Sequence, residues 1–117
     1  MGIQITVYGS HPFTLAYDDS EIIAFISDYI TKRKNTRQPY FTYFTLCRII
    51  LEKAKNDNKL KGMEPNTYYE SPDLAQSEYT RISRILWGFI WDKKIYVDFS
   101  NNSYIAHYEN DTILGIM

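Results

Sequence analysis

The sequence predicts an α+β protein in which short strands near both ends of the chain flank three or four helices. Apolar and polar residues alternate in residues 3–8 and 95–99, which is the periodicity of strands. Between them, apolar residues recur at helical spacing in several segments. The chain has 117 residues, which fits a single domain over 1–117.

Composition and charge exclude several classes of protein. Hydrophobic residues make up 44% and charged residues 23%, as in ordinary globular domains, so the chain is not disordered over most of its length. A net charge of -1 excludes a uniformly cationic nucleic-acid coat. The single Cys47 cannot form an internal disulfide. No apolar segment is long enough to cross a membrane and no basic leader is present, so we expect a cytoplasmic protein.

The N-terminal segment predicts a β-hairpin followed by a helix. Residues 3–8 and 13–17 have strand character, and residues 9–12 between them read as a turn because they contain glycine and proline. Asp19 or Ser20 is the expected N-cap of the first helix, since acidic and hydroxyl side chains favour that position.

The middle of the chain predicts two further helices and a short one. Residues 40–56 are expected to be helical, with Pro39 at the start of this element, and residues 62–70 to form a loop. Residues 71–76 carry the start signal of a short helix, serine followed by proline and aspartate. A longer helix is predicted for 77–91.

The C-terminal segment predicts a second hairpin. Residues 95–99 form one strand, residues 100–103 a turn and residues 104–108 the partner strand. The apolar tail 113–117 is expected to dock on this chain or on a second copy.

From Asp73 to Tyr108 the sequence resembles a winged helix-turn-helix domain. The resemblance is carried by Leu74 and Ala75 on the short helix, by the long helix, by Lys93 to Val97, and by a wing turn at Asn101 and Asn102. On the long helix its residues are Ser77, Thr80, Ile82, Ser83, Ile85, Leu86 and Phe89. In outline the segment is similar to winged modules of plasmid and phage replication or regulatory proteins. The interval from Leu74 to Ile82 is shorter than the usual helix-turn-helix pattern, so a generic small α+β domain stays open as an alternative.

The resemblance implies a dimeric protein that binds double-stranded DNA and acts as a regulator or accessory factor of a plasmid or phage. The long helix would enter the major groove, and its residues would contact base edges or phosphates. The expected DNA-binding residues lie on that helix, directly after it, and in a basic cluster after the first helix. They are Thr80, Arg81, Ser83, Arg84, Lys93, Lys94, Lys32, Arg33, Lys34 and Arg37.

The distribution of charge leaves this basic surface open to a second interpretation. Residues 32–61 carry nine basic and two acidic residues, whereas the flanking segments 1–31 and 62–117 are each at -4. Such a segment attracts phosphate locally, but cations are also expected at helix C-termini, where they offset the helix dipole. If the two helices are antiparallel, the basic clusters lie at opposite ends and form no single patch.

A protein-interaction module, such as an inhibitor or accessory subunit, is the alternative function. Its surface would consist of aromatic side chains, because tyrosine and tryptophan supply contact area at low entropic cost. The candidates are Trp87, Trp91, Tyr68 and Tyr69, together with Tyr40.

The residue pattern predicts neither an enzyme nor a cofactor-binding protein. His11 and His107 are the only histidines and lack the spacing of a zinc site. The five glycines are scattered, so no phosphate-binding loop is formed, and no nucleophile, base and acid occur in a catalytic order. We therefore expect no catalytic residue, no metal and no membrane partner.

Overall fold

The computed structural model describes residues 4–97 and 113–117 and confirms the α+β class. The described residues form three helices and six strands. In chain order these are β1 Ile5–Leu15, α1 Asp19–Lys34, β2 Tyr40–Thr42, α2 Tyr43–Asn56, β3 Leu60–Lys61, β4 Thr67–Leu74, α3 Gln76–Trp91, β5 Ile95–Val97 and β6 Ile113–Ile116.

The strands form two separate three-stranded sheets. One has the order β3-β1-β4, in which β1 is antiparallel to β3 and parallel to β4. The other has the order β2-β6-β5, and both of its pairs are antiparallel. Gly115 in its central strand allows a close approach, because a side chain there would meet the ring of Tyr96.

The predicted N-terminal hairpin is wrong, because residues 5–15 form one strand. Both halves of β1 pair with the same partner, β4, and the register shifts between Val7 and Ser10. Gly9 lies in this irregularity with φ 77°, a backbone conformation that glycine adopts without strain. Its N–H donates to Glu70 Oε2 at 2.7 Å, so the irregularity is held by a side chain of the neighbouring strand.

The predicted loop 62–70 holds for residues 62–66 only, and the predicted short helix 71–76 is wrong, because Thr67–Leu74 is strand β4. Pro72 lies on the edge strand of its sheet, where a missing N–H removes no essential hydrogen bond. Asp73 does not sit in a helical first turn. Its Oδ1 instead accepts hydrogen bonds from Leu74 N at 2.8 Å and from the Tyr79 hydroxyl.

Two helix starts differ slightly from the prediction. Asp18, rather than Asp19 or Ser20, is the N-cap of α1 and forms a capping box with Glu21. The second helix begins at Tyr43 instead of residue 40, with Thr42 as its N-cap. Residues 40–42 are extended because they pair with β6.

The apolar tail 113–117 packs on this chain, one of the two possibilities left open by the sequence. It forms β6, the central strand of its sheet, between β2 and β5. The predicted turn 100–103 and partner strand 104–108 lie outside the described residues, as does the end of the predicted strand 95–99. In the described part of the chain, the partner of β5 is β6.

The helices pack around one core with defined directions. The start of α1 lies beside α3 through an Asp19–Arg81 ion pair, and its end shares a groove with Lys94 directly after α3, so α1 and α3 run parallel. Tyr17, just before α1, donates to Asp57 directly after α2, whereas Arg33 near the end of α1 donates to the Tyr40 carbonyl before α2, so these two helices are antiparallel. Buried residues from all three helices and both sheets belong to a single cluster.

Candidate nucleic-acid interface

The outer face of α3 is exposed over its whole length. Ile82, Leu86 and Phe89 point into the core, because apolar residues at this spacing lie on one side of a helix. The opposite side presents most of the residues predicted for DNA contact and for an aromatic interface. Thr80, Arg84, Trp87 and Trp91 are exposed, and Ser83 is half-buried at the edge of this face.

Arg81 does not belong to this face, which corrects its predicted role in DNA binding. Its side chain is only 17% exposed, and its Nε lies 2.5 Å from Asp19 Oδ1. Its two terminal nitrogens bond Glu78 Oε2 at 3.1 Å and the Tyr17 carbonyl at 2.6 Å. Because Glu78 is itself buried, the guanidinium compensates a carboxylate that is largely withdrawn from water.

Arg84 is oriented towards solvent. Its Nη2 is 3.6 Å from Asp19 Oδ2, and its side chain is 70% exposed. An ion pair this exposed contributes little to stability, so a phosphate or a base edge can replace the carboxylate at small cost.

A continuous groove runs between α1 and α3 and joins basic residues from distant parts of the chain. Its first section, of about 450 Å³, is lined by Arg84 and Lys94, and Asp19 and Ile23 form part of the opposite wall. Its second section, of about 510 Å³, lies at the C-terminal ends of both helices. Both sections share Ser27, Phe89, Asp92 and Lys94.

The second section brings three lysines together. Lys34 lies in the last turn of α1, whereas Lys93 and Lys94 follow α3, and all three line the same groove with Asn35. The parallel arrangement of the two helices causes this convergence. One residue of the predicted basic cluster, Lys34, therefore lies on the same surface as Lys93 and Lys94.

The remainder of the predicted basic cluster does not line this groove. Lys32 pairs with Asp28 at 2.9 Å, and the Arg33 Nε donates to the Tyr40 carbonyl at 2.9 Å. Arg37 is exposed in the connection after α1.

The positive segment 32–61 is divided between two ends of the molecule. Lys53 pairs with Asp57, and Asp57 accepts a hydrogen bond from Tyr17 near the start of α1. The lysines that follow α2 are therefore remote from the end of α1, as the antiparallel alternative requires.

The aromatic candidates are also separated. Tyr68 is 54% exposed on β4, whereas its neighbour Tyr69 is buried, because successive strand residues point to opposite faces. The Tyr69 ring packs 4.9 Å from that of Phe13, and its hydroxyl accepts from Glu64 N at 2.9 Å. This corrects the prediction of Tyr69 as a surface residue. Tyr40 is exposed on β2.

Titratable groups elsewhere do not assemble a second site in the part of the chain that the structure describes. No group of three metal-ligating side chains occurs among those residues. Burial raises the pKa of the Cys47 thiol to about 12, so it is not a nucleophile at neutral pH. No described helix has the length and apolarity that a membrane crossing needs.

Sequence reasoning missed the assembly of the groove and the left-handed backbone of Lys93, whose φ is 60°. The convergence of Lys34 with Lys93 depends on how two helices pack, which no local pattern shows. The sequence does indicate the unusual end of α3, because no glycine follows this helix although helices commonly end with one.

Comparisons with protein-family models, with curated proteins and with solved structures each return no match.

Proposed function

We propose that the protein is a winged-helix protein that binds double-stranded DNA through the outer face of α3. After β1 the chain order is α1, β2, α2, β3, β4, α3, β5, β6. Apart from β3 and β4, this order supports the proposal, together with the sheet order β2-β6-β5. A winged helix-turn-helix likewise has a strand between its first two helices, and that strand pairs with the hairpin after the recognition helix.

The helix-turn-helix pair in this proposal differs from the one that the sequence suggested. Residues 71–76 are strand rather than helix, so α2 becomes the bracing helix and α3 remains the recognition helix. Residues 57–75, which include β3 and β4, then replace the short turn of the motif. These two strands pair with β1 and leave the outer face of α3 uncovered by any described residue.

The exposed outer face of α3 is the observation that carries the proposal. Arg84 is 70% exposed at the middle of the helix, with Thr80 one turn earlier on the same side. An arginine there can bond a guanine edge or a phosphate, and a threonine hydroxyl can bond a phosphate oxygen. Lys94 lies in the adjoining groove, where it can contact the backbone of the same duplex.

Single charge removals test this proposal. Arg84→Ala should weaken binding of a labelled duplex at least about fivefold, and Lys94→Ala should weaken it about two- to fivefold, as expected for lost base and phosphate contacts. Lys61→Ala is the matched control, because Lys61 is also cationic and exposed but lies on β3, in the β3-β1-β4 sheet and outside the groove. Fluorescence anisotropy measures all three. Equal affinities of Arg84→Ala and the wild type would contradict the proposal.

A protein interface is the second candidate, and one observation favours it. Trp91 is 87% exposed and Trp87, one turn earlier, is 47% exposed, which is unusual for the largest apolar side chains. Tryptophans commonly anchor interfaces.

Replacing both tryptophans tests the second candidate. The double variant Trp87→Ser/Trp91→Ser should remove concentration-dependent self-association in sedimentation experiments and leave the circular dichroism spectrum unchanged. An association that persists in this variant would count against an interface on α3.

A further inference from the structure

The C-terminal end of α2 has a backbone motif with which the end of α3 can be compared. Asp57 is its C-cap, and the next residue, Asn58, has φ 57°. Asn58 N donates to the Lys55 carbonyl at 3.4 Å, and Lys59 N donates to the Ala54 carbonyl at 2.7 Å. This is a Schellman motif, and asparagine is among the residues that tolerate its left-handed position.

Helix α3 ends in the same motif with a lysine at the left-handed position. Lys93 has φ 60°, its N–H donates to the Ile90 carbonyl at 3.0 Å, and Lys94 N donates to the Phe89 carbonyl at 3.0 Å. Glycine is the usual residue there, because a side chain with a Cβ is strained in this conformation. The position thus keeps a lysine where a glycine would favour folding, which points to a role for its side chain.

That side chain belongs to the second section of the groove between α1 and α3. Lys93 lines it together with Lys34, Lys94 and Asn35, and Asp92 is the acidic residue in its lining. Within residues 4–97 and 113–117, none of these three lysines forms an ion pair.

The side chains that line the groove carry a net positive charge. Lys34, Lys93 and Lys94 line it with one acidic side chain, that of Asp92. The C-termini of α1 and α3 and the chain end at Met117 also lie there and lower this positive potential. The section of about 510 Å³ is large enough to admit a phosphate group with its substituents.

We propose that this groove binds a phosphate group through Lys34, Lys93 and Lys94. The phosphate is either one of the duplex backbone or part of a small free molecule. The first source rests on the proposed DNA binding, and the second does not.

Replacing Lys93 by glycine removes one positive charge and should also stabilise the fold. A loss of binding in this variant therefore cannot result from unfolding. Lys93→Gly relieves the left-handed strain, so its Tm should rise by about 2–5 °C. Asn58→Gly is the matched control, because it places glycine at the equivalent position of α2 and removes no charge. Lys34→Ala is a second test on the other wall of the groove.

Pyrophosphate is the probe for a free phosphate. At an ionic strength held constant with sodium chloride, it should raise the Tm of the wild type and of Asn58→Gly by about 4–7 °C at tenfold its Kd. The same addition should raise the Tm of Lys93→Gly and of Lys34→Ala by less than half as much.

A labelled duplex is the probe for a backbone phosphate. Lys93→Gly should bind it about three- to tenfold more weakly, with a salt slope reduced by about 0.9, as for the loss of one phosphate contact. If Lys93→Gly loses the pyrophosphate effect or duplex affinity and Asn58→Gly does not, the phosphate site is supported. The experiment in which the loss occurs shows whether the phosphate belongs to a free molecule or to the duplex backbone. If Lys93→Gly matches Asn58→Gly in both arms, the proposal is overturned.

This test and that of the proposed function fail in different ways. If Arg84→Ala weakens duplex binding while Lys93→Gly changes neither arm, DNA binding stands without the phosphate site. If Lys93→Gly reduces the pyrophosphate effect while Arg84→Ala leaves duplex affinity unchanged, the phosphate site stands without the DNA interface.

Discussion

Arg81 and Arg84 lie three residues apart on α3 and have different roles. Arg81 faces α1 and neutralises the buried Glu78, while Arg84 is directed to solvent. No sequence pattern separates the two, because both lie outside the apolar stripe of the helix. Their separation depends on Asp19 and the Tyr17 carbonyl, which the start of α1 brings against α3.

Removing Arg81 should therefore destabilise the fold. Arg81→Ala leaves the Glu78 carboxylate buried without its cation, which should lower the free energy of unfolding by about 2–4 kcal/mol. Arg84→Ala should change it by less than about 0.5 kcal/mol, since its ion pair is exposed. Urea unfolding compares the two variants. Equal losses of stability would show that Arg81 has no special structural role.

Two tyrosines make the fold sensitive to alkaline pH. Burial raises the pKa of Tyr17 and of Tyr79, and hydrogen bonds to the carboxylates of Asp57 and Asp73 raise each pKa further. In the unfolded chain both phenols ionise near pH 10. The folded state thus holds these protons more tightly, and the stability they contribute below pH 10 decreases as the pH rises above it.

The double variant Tyr17→Phe/Tyr79→Phe tests this coupling. Its free energy of unfolding should decline less steeply between pH 9.5 and pH 11.5 (an experimental window around the ordinary phenol pKa of about 10) than that of the wild type. Urea unfolding at several pH values measures the decline. Parallel curves for the two proteins would show that other groups cause the alkaline sensitivity.

At the scale of elements, α3 begins without a side-chain cap. Ala75 occupies the N-cap position with φ -63° and ψ 153°, and it forms no side-chain hydrogen bond to the helix. Because serine readily adopts this backbone conformation and can accept a bond from the first turn, Ala75→Ser should stabilise the fold by about 0.5–1 kcal/mol. A higher urea midpoint is the expected readout, and an unchanged or lower midpoint would contradict it.

The sequence predicts best the elements in which apolar residues recur at helical spacing over several turns. The prediction of 77–91 lies within one residue of α3, because its buried side chains recur at helical spacing. The first two helices are also close to their predicted positions, apart from their first residues.

The mispredicted elements are those whose conformation is set by a distant partner. The serine, proline and aspartate of residues 71–73 favour a helix start locally, yet pairing with β1 makes them extended. Residues 40–42 are a strand for the same reason, since β6 comes from the other end of the chain. Local signals contain no information on such pairings.

At the scale of the whole molecule, the candidate site follows from the arrangement of helices. The exposure of Thr80, Arg84, Trp87 and Trp91 agrees with the sequence, because charged and aromatic side chains opposite an apolar stripe are expected at the surface. The sequence did not show that Lys34 joins Lys93, or that the lysines after α2 lie elsewhere. The parallel packing of α1 and α3 decides both.

The central claim is that duplex DNA binds to the face formed by α3 and the groove beside it. The most direct measurement is fluorescence anisotropy of a labelled random-sequence duplex, titrated with the protein at low salt and again at physiological salt. The account predicts micromolar binding at low salt that weakens by about 10²-fold or more as the salt is raised, because Arg84, Lys93, Lys94 and Lys34 displace counterions from the backbone. Absence of binding at low salt would contradict the account and leave the protein interface as the remaining candidate for the exposed face of α3.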